Sequence, residues 1–151
     1  LVMRLTAGTG WAAESPEVAG PALVGEEYPG PDAVFAEYGI RLLAGDGGIR
    51  FVGANSGVNC PAGQIQVEGV FLERPSLLRY CFEVVAEAGV LSLEIPNASV
   101  VRGGDIPVRV TASEFGRMES YDVDPRDWVS VDHSISGDLP QATVVELRVG
   151  D

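Results

Sequence analysis

Four stretches of this 151-residue chain carry side chains suited to chemistry: the turn AGDGG at 44–48, cysteines at 60 and 81, the acidic run YDVDPRDW at 121–128, and the single histidine in VDHS at 131–134. A glycine-rich turn cradles phosphate when a helix follows it and its N–H groups point at the anion. Here IRFVG follows, which reads as a strand. A calcium loop needs several closely spaced oxygen ligands, and Asp46 is the only carboxylate in the turn. The glycine turn is therefore scaffold. His133 lies between Asp132 and Ser134, but neighbours on an extended chain point to opposite faces, whereas a nucleophilic triad draws its members from separate segments around an oxyanion hole. It reads as an exposed loop histidine. Asp122, Asp124 and Asp127 are close in sequence but lack the glycine and terminal glutamate of an EF-hand loop. They read as a solvated acidic turn, with a weak calcium site as the alternative. Spacing alone says nothing about a glycosidase carboxylate pair, since acid and nucleophile come from different strands. No catalytic residue, metal or cofactor is assigned.

Cys60 and Cys81 have no CxxC neighbour, and one histidine cannot complete a Cys/His zinc site with them. A disulfide is the simpler reading, placing their strands side by side or in facing sheets; two buried free thiols are the alternative. A bridge closing a loop of about 20 residues adds about 3 kcal/mol in the chain-entropy model.

The elements that must position these residues are strands. If Asp46 and Gly47 are the central residues of a type I′ hairpin turn, Ala44 faces Ile49 and Leu42 faces Phe51. Ile40, Leu42, Ala44, Ile49 and Phe51 then share one face, with Arg41, Leu43, Arg50 and Val52 on the other. The alternation continues: Ile65 and Val67 against Gln64, Gln66 and Glu68, then Phe82 and Val84, a loop ending at Gly89, and Leu91, Leu93 and Ile95 as a second hairpin. Ile106, Val108 and Val110 alternate after RGGD, and Pro107, lacking an N–H, puts that strand at a sheet edge. Short runs at 118–123 and 128–131 follow, and the last strand places Thr143, Val145, Leu147 and Val149 on one face. About eight strands with regular turn signals read as an all-β domain, a single β-sandwich or partly closed barrel. Its expected core is Ile40, Leu42, Phe51, Ile65, Val67, Phe82, Val84, Leu91, Leu93, Ile95, Val108, Val145 and Leu147.

The helical candidate is PDAVFAEYG, with Asp32 as cap and Gly39 as terminator. Residues 14–31 ahead of it contain four prolines and four glutamates, too few apolar side chains to form a core. The organisation expected is a signal-peptide remnant at 1–13, an extended arm with a short helix at 14–39, and the β domain at 40–151. Gly10-Trp11-Ala12 has the small-x-small form of a cleavage site, an ordinary unstructured N-terminus being the alternative. Asn97-Ala98-Ser99 matches the glycosylation sequon, which matters only in a eukaryotic secretory pathway. Composition excludes two classes of partner. A net charge of −12 opposes nucleic acid, and no apolar run approaches the ~20 residues that span a bilayer.

The stretches YPGPDAVFAEYGIRLLAGDGGIRFV, YCFEV, GVLSLEIP and ATVVELRV resemble a family of small secreted actinobacterial proteins that includes the adaptor subunit of umbrella toxin particles. The likeness covers residues 28–151 and departs from the family pattern at VSVDHSISGDLP. It implies a non-catalytic connector joining a repeat-containing toxin stalk to lectin subunits. The residues themselves point to the arm as a partner-binding segment: Ala22, Leu23 and Val24 are a short apolar run, followed by Glu26, Glu27 and Tyr28. An extended, proline-stiffened peptide of this kind lies in a groove or adds to a sheet edge; a plain spacer is the alternative. The expected function is a secreted protein-binding adaptor. The competing classes are a carbohydrate-binding β-module, with Trp128 as its aromatic platform, and a carboxylate hydrolase, for which nothing positive is seen.

Overall fold

The computed structural model describes residues 30–72, 76–135 and 139–150. They form one short helix, α1 (Pro31–Tyr38), and nine strands: β1 (Arg41–Gly45), β2 (Ile49–Asn55), β3 (Ile65–Phe71), β4 (Ser76–Val84), β5 (Gly89–Arg102), β6 (Val108–Glu114), β7 (Arg117–Val123), β8 (Trp128–Ser130) and β9 (Ala142–Val149). All strand pairs are antiparallel and belong to one sheet that does not close, ordered β2-β4-β3-β5-β9-β6-β7, with β1 and β8 also paired to β5.

The long strand β5 makes this sheet sandwich-like. Its first half pairs with β1 and β9, so Leu91 faces both Gly45 and Leu147. Its second half pairs with β3 and β8, so Val101 faces both Val67 and Val129. The register shifts around Ser92–Ile95 and Ile95–Ala98 mark where the strand bends. Side chains from both halves meet in a single core that includes Ile40, Leu42, Phe82, Leu93, Val110 and Leu147.

Two expected hairpins are not hairpins. β1 pairs with β5 and β2 with β4, so the Asp46–Gly47 turn carries the chain from one half of the sheet to the other. The 85–88 corner does the same, because β4 pairs with β2 and β3 and not with β5. The expected inward face survives, with Ile40, Leu42 and Ile49 buried and Phe51 packed against them. Alternation fixes which side of a strand faces the core but leaves its neighbour open. The two corners lie against each other: a Cβ on Gly48 would meet Gly89 Cα at 2.8 Å, and Val85 N–H donates to Gly48 O at 2.9 Å. Asp46 Oδ1 accepts from the N–H groups of Gly48 (3.0 Å) and Val90 (3.2 Å), closing the corner. The tight two-residue hairpin is elsewhere. Phe115 (φ 52°) and Gly116 (φ 78°) join β6 to β7, as a type I′ turn requires.

Four further expectations need correction. Pro107 does not mark an edge: β6 is paired on both sides, and the proline precedes its first residue, where no ladder donor is needed. Asp32 is not the helix cap. Gly30, left-handed at φ 70°, holds that position with proline at the start of α1, while Gly39 ends the helix as expected and donates its N–H to Phe35 O. Val145 is only half-buried. On the β6 side Thr111 faces Glu146 and Ala112 faces Val144, leaving Val145 unpaired as a bulge. The bulge shifts the phase, so Val144 and Leu147 are the buried pair. Val84 is likewise half-buried, against the core. Among the described residues no helix is long and apolar enough to cross a membrane.

Candidate functional site

Cys60 and Cys81 are bonded, with Cα atoms 5.6 Å apart. Cys81 is on β4 as expected, but Cys60 lies in the β2–β3 loop rather than on a strand. The bridge lays that loop over the outer face of β3 and β4. Gln66, expected on a solvated face, is consequently fully buried. Its Oε1 accepts the Cys60 N–H at 2.6 Å, and its Nε2 donates to Asn59 Oδ1 and Glu68 Oε2. Arg102 Nη2 donates to the carbonyls of Cys60, Pro61 and Gln64, each at 3.2 Å. These groups are consumed in holding the loop. Trp128 is half-exposed, with the Arg102 guanidinium 5.9 Å from its ring centroid.

The acidic run is a solvated turn, as expected: Asp127 N–H donates to Asp124 O at 3.0 Å, and Asp122, Asp124 and Asp127 are all exposed. Asp122 pairs with Arg109 at 2.9 Å across the β6–β7 ladder, and the guanidinium's hydrogen bond and charge hold its carboxyl below the usual range. Asp127 Oδ1 accepts from its neighbour, Trp128 N–H. Among the described residues no three His, Cys, Asp or Glu side chains converge as metal ligands.

Polar groups converge instead beside the β6–β7 turn. A cavity of about 200 Å³ is lined by Ala112, Glu114, Phe115, Arg117, Glu119, Tyr121, Val131 and His133. Ala112 and Val131 are buried and give it an apolar base. Both Glu114 oxygens accept the His133 backbone N–H at 3.0 Å, tying the 131–134 segment to the end of β6. Asp132 secures the same segment. Burial pushes its carboxyl up, but hydrogen bonds from Ser134 Oγ and from the Gln141 and Ser134 N–H groups outweigh this and hold it below the usual range. The His133 and Tyr121 rings stack with centroids 6.2 Å apart.

The hydrogen-bond directions in this cluster follow from chemistry. An ionised carboxylate only accepts, so Tyr121 O–H donates to Glu119 Oε1 at 3.0 Å. The phenol has no second proton, so the 2.9 Å contact between Tyr121 Oη and His133 Nε2 is made by the histidine N–H. In the neutral ring this leaves Nδ1 as an acceptor. Lost hydration, followed by the adjoining Glu119 and Glu114, pushes the Tyr121 hydroxyl up to about 12. Arg117 is the one arginine among the described residues with neither hydrogen bond nor ion pair.

Sequence reasoning found His133 and placed it on the surface, where it is, but missed its partners. Glu114, Glu119 and Tyr121 are brought to it by the β6–β7 hairpin, whose FG turn is a weak sequence signal because phenylalanine rarely takes a left-handed conformation. The arm residues Ala22, Leu23, Val24, Glu26, Glu27 and Tyr28 lie outside the described residues, as does the segment 1–13.

The root of the arm is described. Tyr80 O–H donates to Tyr38 O at 3.0 Å, the Phe71 ring closes over Gly39 so tightly that a Cβ there would meet it at 2.6 Å, and the Arg41 guanidinium sits 4.0 Å from the Phe35 ring centroid. Burial pushes the Tyr80 hydroxyl up to about 12. Helix α1 is thereby fixed to the sheet at its C-terminal end and middle. Comparison with known proteins finds no matching family model and no matching curated protein.

Proposed function

We propose that this chain is a secreted, non-catalytic adaptor that binds one protein through its N-terminal arm and another through its β domain. The observation that supports this most is the clamped root of the arm. Tyr80, Phe71 and Arg41 fasten α1 to the sheet, so the helix that follows residues 14–29 in the chain is part of the folded β domain. A connector needs this continuity, whereas a spacer does not. The disulfide and the tied β2–β3 loop fit a protein working in an oxidising, extracellular setting. The resemblance of residues 28–151 to the actinobacterial adaptor family motivates this reading and implies, as partners, a repeat-containing toxin stalk and lectin subunits.

Cross-linking mass spectrometry with a carboxylate-reactive reagent, the chain having no lysine, on the full chain in culture supernatant of its native host tests the reading. The expected result is cross-links from the 14–29 segment to one secreted protein and from the β domain to a second. Cross-links from both regions to a single partner, or from neither, contradict it.

A further inference from the structure

We propose that the cavity between the β6–β7 hairpin and residues 131–134 binds a neutral pyranose ring, one sugar unit of a glycan. The inference stands independently of the adaptor reading, which is carried by the arm. Size comes first: about 200 Å³ is below the ~300–1,000 Å³ of sites for drug-sized ligands, and suits a single ring.

Chemistry then selects the ring. The base is apolar, formed by Ala112 and Val131, and Phe115 stands at the rim, 69% exposed. Around it are an unpaired donor, Arg117, and acceptors on Glu119 and Glu114. Glu119 uses Oε1 for Tyr121, leaving Oε2 free of the tyrosine bond. With the ring neutral, the hydrogen-bond directions add His133 Nδ1 as an acceptor. A cationic ligand would face Arg117. An anionic ligand would face two carboxylates. A wholly apolar group would strip water from all three charges without replacing it. A ring with one apolar face and hydroxyls that both donate and accept satisfies every group present.

Backbone conformation points the same way. Phe115 holds φ at 52°, a left-handed state costly for a bulky side chain. Glycine or asparagine would turn the hairpin with less strain. A large aromatic residue kept in that conformation, and mostly exposed, is explained by contact with a ligand.

The test is an amide chemical-shift titration of the full-length, isotope-labelled protein with the methyl pyranosides of glucose, galactose, mannose and N-acetylglucosamine. N-acetylarginine amide and glucuronate serve as the cationic and anionic comparisons. The expected result is saturable, millimolar binding of at least one neutral pyranoside, with shifts confined to residues 112–121 and 131–134. Glu119→Gln and Arg117→Ala should each weaken it about five-fold, the loss of one hydrogen bond, while Glu83→Gln, on β4, changes nothing. The proposal is overturned if none of the four sugars gives saturable shifts in those segments, if only the cation or the anion binds there, or if both cavity variants bind as the wild type does. The spectra of the variants report their folding directly.

Discussion

The disulfide-tied face and the β6–β7 tip differ in how deeply their polar groups are covered. Under the β2–β3 loop, Gln66 is fully buried, and its amide is matched to Cys60, Asn59 and Glu68. Arg102 is bound to three carbonyls of the same loop. At the tip, Arg117 has no partner among the described residues, and Phe115 and Met118 are more than half exposed. The first region uses polar chemistry to hold itself together. The second uses Glu114, Glu119 and Tyr121 to hold the 131–134 segment and leaves Arg117 and the Phe115 ring facing outward.

Substitutions should separate the two regions, beginning with the largest effect. Replacing both cysteines by serine should destabilise the domain by about 2–4 kcal/mol in denaturant unfolding, through lost loop constraint; a change under about 1 kcal/mol would mean that the loop is held by its hydrogen bonds alone. Gln66→Ala leaves the buried Cys60 N–H without its acceptor and should cost about 1–3 kcal/mol. At the tip the sign should reverse. Phe115→Gly relieves the left-handed strain and should leave stability unchanged or raise it by about 1 kcal/mol, despite losing a large side chain. Destabilisation by Phe115→Gly comparable to Gln66→Ala would erase the distinction between the regions.

A further effect concerns alkaline pH. Tyr80 is held up to about 12 by burial, above the ordinary tyrosine value of about 10. Its contribution is complete below the unfolded-state value and is lost as pH rises from about 10 through about 12, because the unfolded chain releases the proton first. Stability should decline across that window, and Tyr80→Phe should flatten part of the decline. An identical pH profile in Tyr80→Phe would show that the buried Tyr80 hydroxyl is not the group whose titration sets the decline.

The inward-facing residues were largely legible in the sequence because period-2 alternation is a local property. Leu42, Ile65, Leu91, Leu93 and Leu147 are buried as expected. Strand partners were not legible. Gly48 and Gly89 look like hairpin turns, yet they pack backbone on backbone where two strands change neighbours, and only the third dimension reveals that. Val145 was misplaced because a bulge leaves no mark in an unbroken run of apolar residues. Gln66 was misplaced because the loop covering it comes from before β3 and is tied down by a cysteine 21 positions further along the chain from Cys60. The candidate site was half legible: His133 stood out as the single histidine, while Glu114, Glu119, Tyr121 and Arg117 were indistinguishable from ordinary strand surface.

The adaptor reading rests on the arm and the β domain acting as separate binding surfaces. The direct measurement is co-purification of secreted partners with the full-length protein and with a Leu23→Asp, Val24→Asp double variant. The account predicts that the variant folds with an unchanged melting temperature, loses one partner, and keeps the partner held by the β domain. Retention of every partner by the variant would contradict it.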